Sequence, residues 1–429
     1  MAVVIKRDEY LNRIINKKEN GMVKVITGIR RCGKSYLLFN LFYDYLIDSG
    51  IKEEQIITIA LDDDNYVDLR SPEKLSEYIR AKITNNDMYY ILIDEVQYAI
   101  SKEELKNPDE IRLYNVLNGL LRLRNTDIYV AGSNSKMLTK DVLTAFRGRG
   151  DEVKIYPLCF KEYYDFAGGE KSDTYEEFAL YGGMPLVLTK ATDNEKIAYL
   201  QNLFTEVYFK DIVERYDIEL IDVLEELTDD LCSSIGSLTN AAKISKTLKS
   251  VKNIKVSSNT IASYLGYLTE SFLFENAKRY DIKGKKYFEY PSKYYCADIG
   301  LRNARLNFRQ QEETHIMENI IYNELICRGC SVDVGVVESD EVINGKRIRK
   351  QCEIDFVVNS GTKKYYIQSA LNVSNSFKME TELRPLKSAK DFFKKLIISK
   401  TSAKPWIDEE GIIHMGLYEF LLNKDSLEI

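Results

Sequence analysis

The sequence contains few of the residues on which several specialised protein classes depend. It has only 7 Cys and 7 Pro in 429 residues, and it has neither an internal repeat nor a low-complexity tract. The cysteines are scattered and odd in number, which argues against a disulfide framework and suits a reducing compartment. A composition of 45% apolar and 29% charged residues is typical of a soluble globular chain. The length predicts about two to four domains.

Long apolar runs are also missing. No run approaches the ~18 residues of a membrane span, and residues 1–8 lack the apolar core of a signal peptide. We therefore expect a cytoplasmic protein without a membrane partner. The net charge of −6 argues against a protein that coats nucleic acid uniformly, although local basic patches can still bind it.

What the chain does contain is a phosphate-binding loop pattern. Residues 28–35 read GIRRCGKS and fit G-x4-G-K-[S/T], between an apolar run at 22–27 and an amphipathic stretch at 36–42. Glycines let consecutive N–H groups point at a polyphosphate, Lys34 can reach its terminal phosphates, and Ser35 can offer a hydroxyl to Mg²⁺. A glycine turn that binds nothing is the alternative. The predicted nucleotide-binding residues are Gly28, Ile29, Arg30, Arg31, Cys32, Gly33, Lys34, Ser35 and Tyr36.

The alternation of strands and helices predicts the fold around this loop. Strand-like runs separated by helix-length periodic segments favour a parallel α/β sheet covered on both faces, with the loop at the carboxyl end of the first strand. The predicted strands are 24–27, 56–61, 89–93, 128–131 and 152–156, and the predicted helices include 34–49, 72–82 and 108–122.

Two acids end the apolar strand at 89–93. Asp94 is placed to hold Mg²⁺ opposite Ser35, and Glu95 to orient or deprotonate the attacking water. Nucleotide binding needs only the aspartate, so the adjacent glutamate favours hydrolysis. Two solvated acids at a strand end are the alternative.

Further polar residues follow the fourth predicted strand. Ser133 and Asn134 are candidates to sense the γ-phosphate and hold the lytic water, or to cap the next helix. Arg147 and Arg149 precede the fifth strand, where an arginine can reach the nucleotide of a neighbouring subunit. This role predicts a homo-oligomer, whereas two solvated arginines would not.

The middle of the chain is predicted to be helical and then to form a small basic domain. Two short helices at 238–249 and 258–270 precede a lysine-rich hairpin at 281–288, which is the outline of a winged helix. A lysine-rich surface can contact DNA phosphates or simply be solvated. The lysines concerned are Lys243, Lys246, Lys249, Lys252, Lys255, Lys283, Lys285 and Lys286.

These motifs together resemble the AAA-type archaeal and bacterial ATPases of the AAA+ superfamily. The resemblance implies that ATP is the nucleotide, that Lys34, Ser35, Asp94 and Glu95 form the catalytic centre, and that a domain of unknown function follows. It covers nearly the whole chain. The matching segments are 27–35, 91–97, 131–135, 146–160, 181–185, 209–215 and 318–325.

The C-terminal segment is similar to restriction-endonuclease-like folds, whose site uses acids and a lysine to hold divalent ions and a water. Glu318, Glu353 and Asp355 occur in the required order. Gln368 replaces an acid, however, and Ala370 stands where the lysine belongs. This departure predicts a retained but inactive scaffold more readily than an active nuclease.

The sequence therefore predicts a P-loop AAA+ ATPase domain at 1–165, a helical connector at 166–235, a winged-helix-like domain at 236–305 and a restriction-endonuclease-like domain at 306–429. The predicted function is Mg²⁺-dependent ATP hydrolysis that rearranges a DNA-associated C-terminal half. The alternatives are a nucleotide-operated switch with slow hydrolysis and an ATP-gated nuclease.

Overall fold

A computed structural model describes residues 4–101, 103–104, 111–132, 149–310, 312–343, 346–372 and 376–429. The chain divides into two compact units, one of residues 1–157 with 270–272 and one of residues 158–269 with 273–429. Within the described ranges, no helix is both long and apolar enough to cross a bilayer.

The first unit is built on a five-stranded parallel sheet with the strand order β2-β3-β4-β1-β5. The predicted α/β class is confirmed here, and each predicted strand end lies within two residues of the observed one. β1, β3 and β4 are buried along their whole length, as expected for central strands covered on both faces. The strands are Val23–Thr27 (β1), Ile56–Ala60 (β2), Tyr89–Asp94 (β3), Thr126–Ala131 (β4) and Gly150–Lys154 (β5).

Helices connect these strands. Apolar side chains of α3 and α4 pack with those of the sheet in one continuous core. The helices are Asp8–Ile15 (α1), the consecutive segments Lys34–Tyr36, Leu37–Phe42 and Tyr43–Asp48 (α2, π-helical in the middle), Pro72–Lys82 (α3) and Arg112–Leu121 (α4).

The second unit combines a helical part with a nine-stranded sheet of order β13-β14-β12-β11-β10-β9-β7-β8-β6. Its strands are Leu238–Thr239 (β6), Phe274–Asp281 (β7), Lys286–Cys296 (β8), Ser331–Ile343 (β9), Lys346–Ser360 (β10), Lys363–Ala370 (β11), Lys394–Ser399 (β12), Trp406–Ile407 (β13) and Ile413–Gly416 (β14).

The helices of the second unit include the predicted helical stretch after residue 166. They are Phe160–Ala167 (α5), Lys171–Tyr181 (α6), the consecutive Asp193–Asn202, Leu203–Phe209 and Lys210–Arg215 (α7), Ile221–Ser233 (α8), Ala241–Val251 (α9), Ser258–Glu270 (α10), Ile299–Arg305 (α11), Glu313–Cys327 (α12), Ser376–Ser388 (α13) and Leu417–Leu422 (α14).

The segment interpreted as a winged helix has the predicted order of elements, with a short strand, two helices and a hairpin. β6 pairs antiparallel with β8, but β7 also pairs in parallel with β9. The hairpin is therefore part of the same sheet as the C-terminal strands and not a free wing. The winged-helix interpretation and the boundaries at 235 and 305 stay predictions.

The glycine pair at 182–183 packs against the start of α11. A Cβ atom on Gly182 would lie 2.2 Å from Asp298 Oδ1, so the close approach requires glycine. The Asp298 carboxylate accepts hydrogen bonds from the N–H groups of Gly183 at 2.6 Å and Leu301 at 3.1 Å. Burial raises the pKa of Asp298 to about 6.

This buried carboxyl makes stability depend on pH. The pKa of Asp298 is higher in the folded state than its ordinary value of 3.8, so the folded state binds the proton more tightly and loses stability as pH rises through this window. We expect wild type to lose about 2 kcal/mol of unfolding free energy relative to Asp298→Asn between pH 4 and 7. Urea unfolding of both proteins across this range measures the difference, and parallel pH profiles would contradict it.

Candidate nucleotide-binding site

The loop after β1 has the backbone conformation that its two glycines allow. Gly28 and Gly33 have φ values of 144° and 101°. A Cβ atom on Gly28 would lie 2.1 Å from the carbonyl oxygen of Ile155, so no other residue fits there. Residues 28–33 form the turn between β1 and α2, and Gly33 is the residue directly before the helix.

Lys34 is the first residue of α2, and only 4% of it is exposed. Its Nζ donates hydrogen bonds of 3.0 Å to the carbonyl oxygens of Gly28 and Ile29. The ammonium group is thus held over the loop by neutral acceptors. Phosphate oxygens are stronger partners for an ammonium group than carbonyls, so a polyphosphate in the loop would compete well for it.

Ser35 and Asp94 lie together although they come from different elements. Asp94 ends β3 and is buried, with its Oδ1 accepting the N–H of Glu95 at 2.9 Å. Burial raises the pKa of Asp94, and the Ser35 hydroxyl, which donates to the carboxylate, lowers it. A hydroxyl and a carboxylate oxygen are ligands that Mg²⁺ prefers, so this pair fits the predicted metal role.

Glu95 follows with φ of 51°, which turns the chain away from the strand. Burial and the neighbouring Asp94 carboxylate raise the pKa of Glu95. The side-chain amide of Gln97 donates a hydrogen bond to Glu95 Oε2. Gln97 was not predicted as a site residue, although its place two residues after the acid pair was visible in the sequence.

The strand order explains which other predicted residues can reach this site. β4 lies between β3 and β1, so its carboxyl end leads toward the loop. Ser133, Asn134 and Arg147 lie outside the described residues. Arg149 is exposed at the amino end of β5, where its carbonyl oxygen accepts the N–H of Val23 at 2.8 Å. The phosphate-binding loop lies at the other end of the parallel sheet, so Arg149 does not belong to the same chain's site.

Arg7 is a residue of this site that sequence reasoning missed. It precedes α1, and only 3% of it is exposed. Its guanidinium donates to the carbonyl oxygen of Cys32 at 3.0 Å and to that of Tyr156 at 2.8 Å. It also lies over the ring of Tyr10, 4.5 Å from the centroid. Arg7 therefore fixes the phosphate-binding loop to the segment after β5, and no local motif marked it.

We expect Arg7→Ala to weaken both folding and nucleotide binding. The change leaves the buried carbonyl of Cys32 and the half-buried carbonyl of Tyr156 without their charged donor, which costs about 2–4 kcal/mol of unfolding free energy. Arg7→Lys should rescue only part of this loss, because an ammonium lacks the planar fork. Thermal unfolding and titration with a fluorescent ATP analogue measure the two effects. Arg13→Ala is the matched control, since Arg13 also lies over Tyr10 but pairs with Glu9.

The predicted degenerate nuclease residues also come together, in the second unit. Glu318 lies on α12, Glu353 and Asp355 on β10, and Gln368 on β11. Lys293, which sequence reasoning did not include, lies among them.

The lysines predicted to contact DNA are exposed. Lys243, Lys246 and Lys249 lie on α9. Lys252 pairs with Glu226 at 3.1 Å, and Lys283 pairs with Glu338 at 3.4 Å. Part of this basic surface is therefore balanced by acids, and DNA contact stays a prediction.

A family model agrees with the fold of the first unit, and relatives match most of the chain. Residues 20–164 match an AAA domain, and residues 172–312 match a domain of unknown function (DUF8612). The chain is 32% identical over 402 residues to an uncharacterized protein of Haemophilus influenzae, which covers 92% of this chain and 93% of that protein. It is 29% identical over 406 residues to an uncharacterized protein of Methanocaldococcus jannaschii, covering 90% and 82%. A solved Walker-type ATPase of Pyrococcus abyssi is similar over 71% of this chain and 96% of that one, with 16% identity and a TM-score of 0.49.

Proposed function

The chain belongs to the same family as the uncharacterized Haemophilus influenzae protein and has an AAA domain at residues 20–164, and we propose that it is a Mg²⁺-dependent ATPase that hydrolyses ATP to ADP and phosphate. The observation that carries the proposal is the meeting of the Ser35 hydroxyl with the buried Asp94 carboxylate beside a loop that holds Lys34. The proposal is supported because an ammonium group, which phosphates bind, and two oxygen atoms of the kind that Mg²⁺ prefers lie at one edge of the sheet.

The residues of the site have distinct roles in this proposal. The N–H groups of the loop and Lys34 bind the phosphates, with the start of α2 adding its positive dipole end. Ser35 and Asp94 would hold Mg²⁺, which supplies positive charge against the γ-phosphate. Glu95 orients the attacking water and accepts its proton on the carboxylate. Gln97 donates to that carboxylate, so Glu95 has to give up this contact before the carboxylate can receive the proton.

We further propose that hydrolysis rearranges a DNA-associated second unit. The support is the exposed lysines of α9 and of the turn between β7 and β8, whose ammonium groups can contact phosphates. ATP turnover of the wild-type chain with and without duplex DNA tests this coupling. Stimulation by DNA that fades as salt rises supports it, and equal turnover in both conditions contradicts it while leaving the ATPase intact.

A nucleotide-operated switch is the second candidate function. The contact between Gln97 and Glu95 favours it, because a glutamate held by a neighbouring amide is partly withheld from water until it is released.

Arg147 and Arg149 are proposed to complete the site of a neighbouring subunit, which requires an oligomer. Light scattering with and without ATP tests this arrangement, and a strict monomer with full turnover contradicts the arginine role.

A further inference from the structure

A second group of charged side chains lies in the unit of residues 158–269 and 273–429, which contains none of the proposed ATPase residues. Lys293 Nζ lies 2.9 Å from Glu318 Oε1, 2.7 Å from Glu353 Oε1 and 3.8 Å from Asp355 Oδ1. The lysine comes from β8, and the acids come from α12 and β10. We call Lys293 and these three acids the Lys293 cluster.

The Lys293 cluster is largely excluded from solvent. The side chains of Lys293, Glu318 and Asp355 are 5%, 9% and 12% exposed, whereas that of Glu353 is 31% exposed. A buried charge is costly unless an opposite charge and hydrogen bonds compensate it. The cluster therefore needs its cation, and it opens to water mainly at Glu353.

Other hydrogen bonds fix the carboxylates in place. The hydroxyl of Tyr295, two residues along the same strand face as Lys293, donates to Glu318 Oε1 at 2.8 Å. The N–H of Ser369 donates to Asp355 Oδ2 at 2.8 Å. Gln368, at the predicted acid position, donates its amide to Glu382 at 3.1 Å. Neutral donors and the ammonium group of Lys293 thus occupy one oxygen each of Glu318, Glu353 and Asp355.

The balance of charge agrees with this arrangement. Burial alone lowers the pKa of Lys293, but the carboxylates of Glu318, Asp355 and Glu353 outweigh it and raise that pKa, so the ammonium group stays charged. Burial and the Glu318 carboxylate raise the pKa of Asp355 well above its usual range.

We propose that Lys293 is the resident cation of this cluster and stands where a divalent metal would lie among the same carboxylates. The ammonium group makes hydrogen bonds of normal length to two of them. A divalent ion binds carboxylate oxygens at about 2.0–2.6 Å, so it and the ammonium group cannot share this centre. Among the described residues, no group of three or more His, Cys, Asp or Glu side chains is arranged to hold a metal.

The alternative is that Lys293 is the lysine of a metal-dependent nuclease centre. In that case β8 would supply the lysine that the nuclease pattern expects at position 370, where this chain has Ala370. Such a lysine lies beside the metal and steadies the attacking water. Here the Nζ atom lies between the carboxylates themselves, within hydrogen-bond distance of two. The cluster therefore links β8, through Lys293, to α12 and β10. We expect that removing the lysine leaves the carboxylates free to bind a divalent cation.

Titration of the nucleotide-free full chain with Mn²⁺ alone, followed by electron paramagnetic resonance of free Mn²⁺, tests this inference. We expect wild type and Lys286→Ala, a matched change of an exposed lysine on the same strand, to show no binding that depends on Asp355. Lys293→Ala should bind Mn²⁺ on the order of tenfold or more tightly than wild type, because the carboxylates lose their internal cation. Adding Asp355→Asn should abolish the gain.

Two results would overturn the inference. One is Mn²⁺ binding by wild type that Asp355→Asn removes, especially with Asp355-dependent cleavage of plasmid DNA. The other is a folded Lys293→Ala chain that binds no more Mn²⁺ than wild type. If Lys293→Ala does not fold, the comparison of wild type with Asp355→Asn decides alone, and equal Mn²⁺ binding by both supports the resident lysine. None of these results depends on ATP turnover.

Discussion

Lys34→Ala is expected to slow ATP turnover by roughly two to three orders of magnitude. The variant removes the one ammonium group that the loop holds through the carbonyls of Gly28 and Ile29. A charge-assisted contact to phosphate contributes about 1.5–3 kcal/mol to binding, and more in the transition state, where negative charge grows. We therefore expect nucleotide affinity to fall roughly 10- to 100-fold and kcat/KM by roughly 100- to 1000-fold.

The measurement is phosphate release together with binding of a fluorescent ATP analogue. Lys52→Ala is the matched control, because Lys52 lies in the same unit with 69% of its side chain exposed. Thermal unfolding should be nearly unchanged for Lys52→Ala, and circular dichroism should show that Lys34→Ala is folded. Turnover by folded Lys34→Ala equal to that of wild type would exclude the ATPase proposal at this site.

Glu95→Gln is expected to stop hydrolysis while leaving ATP bound. The amide keeps the size of the side chain but cannot accept the proton of the attacking water. Loss of a general base costs about 100- to 10,000-fold in kcat. Affinity should be preserved, because Ser35, Asp94 and the loop still hold the nucleotide. Single-turnover hydrolysis and equilibrium binding separate the two effects.

The same variant distinguishes a working ATPase from a switch. An ATPase that drives rearrangement should lose DNA-dependent activity with Glu95→Gln, whereas a switch should stay in its ATP-bound state with its partner still bound. Glu54→Gln is the matched control, since 71% of the Glu54 side chain is exposed in the same unit. Glu95→Gln with wild-type kcat would show that another residue activates the water.

The nucleotide-binding loop and its sheet could be predicted because their signals are local. The spacing of Gly28, Gly33 and Lys34 is set by a single turn of backbone, and an apolar strand that ends in Asp94 needs only its own residues to be identified. The five strands could be placed for the same reason, since each is a short apolar run between helix-length segments.

The C-terminal sheet was harder to predict because its pairing joins distant segments. β7 pairs with β9 although β8, α11 and α12 lie between them in the sequence. The basic hairpin therefore belongs to the larger sheet and not to a free wing. A strand's own sequence does not specify its neighbour, because backbone hydrogen bonds are the same for any partner. The predicted boundary at 305 therefore falls between elements that one sheet unites.

The sequence by itself determined the parallel α/β core, the phosphate-binding loop and the acid pair at the end of β3. Only the tertiary structure decided that Arg7 reaches the carbonyl of Cys32 and that Lys293 lies between Glu318 and Glu353. Each of these contacts joins residues at least 25 positions apart in the chain. A buried charge must find a partner, but which partner it finds depends on how the elements pack and not on the residues beside it.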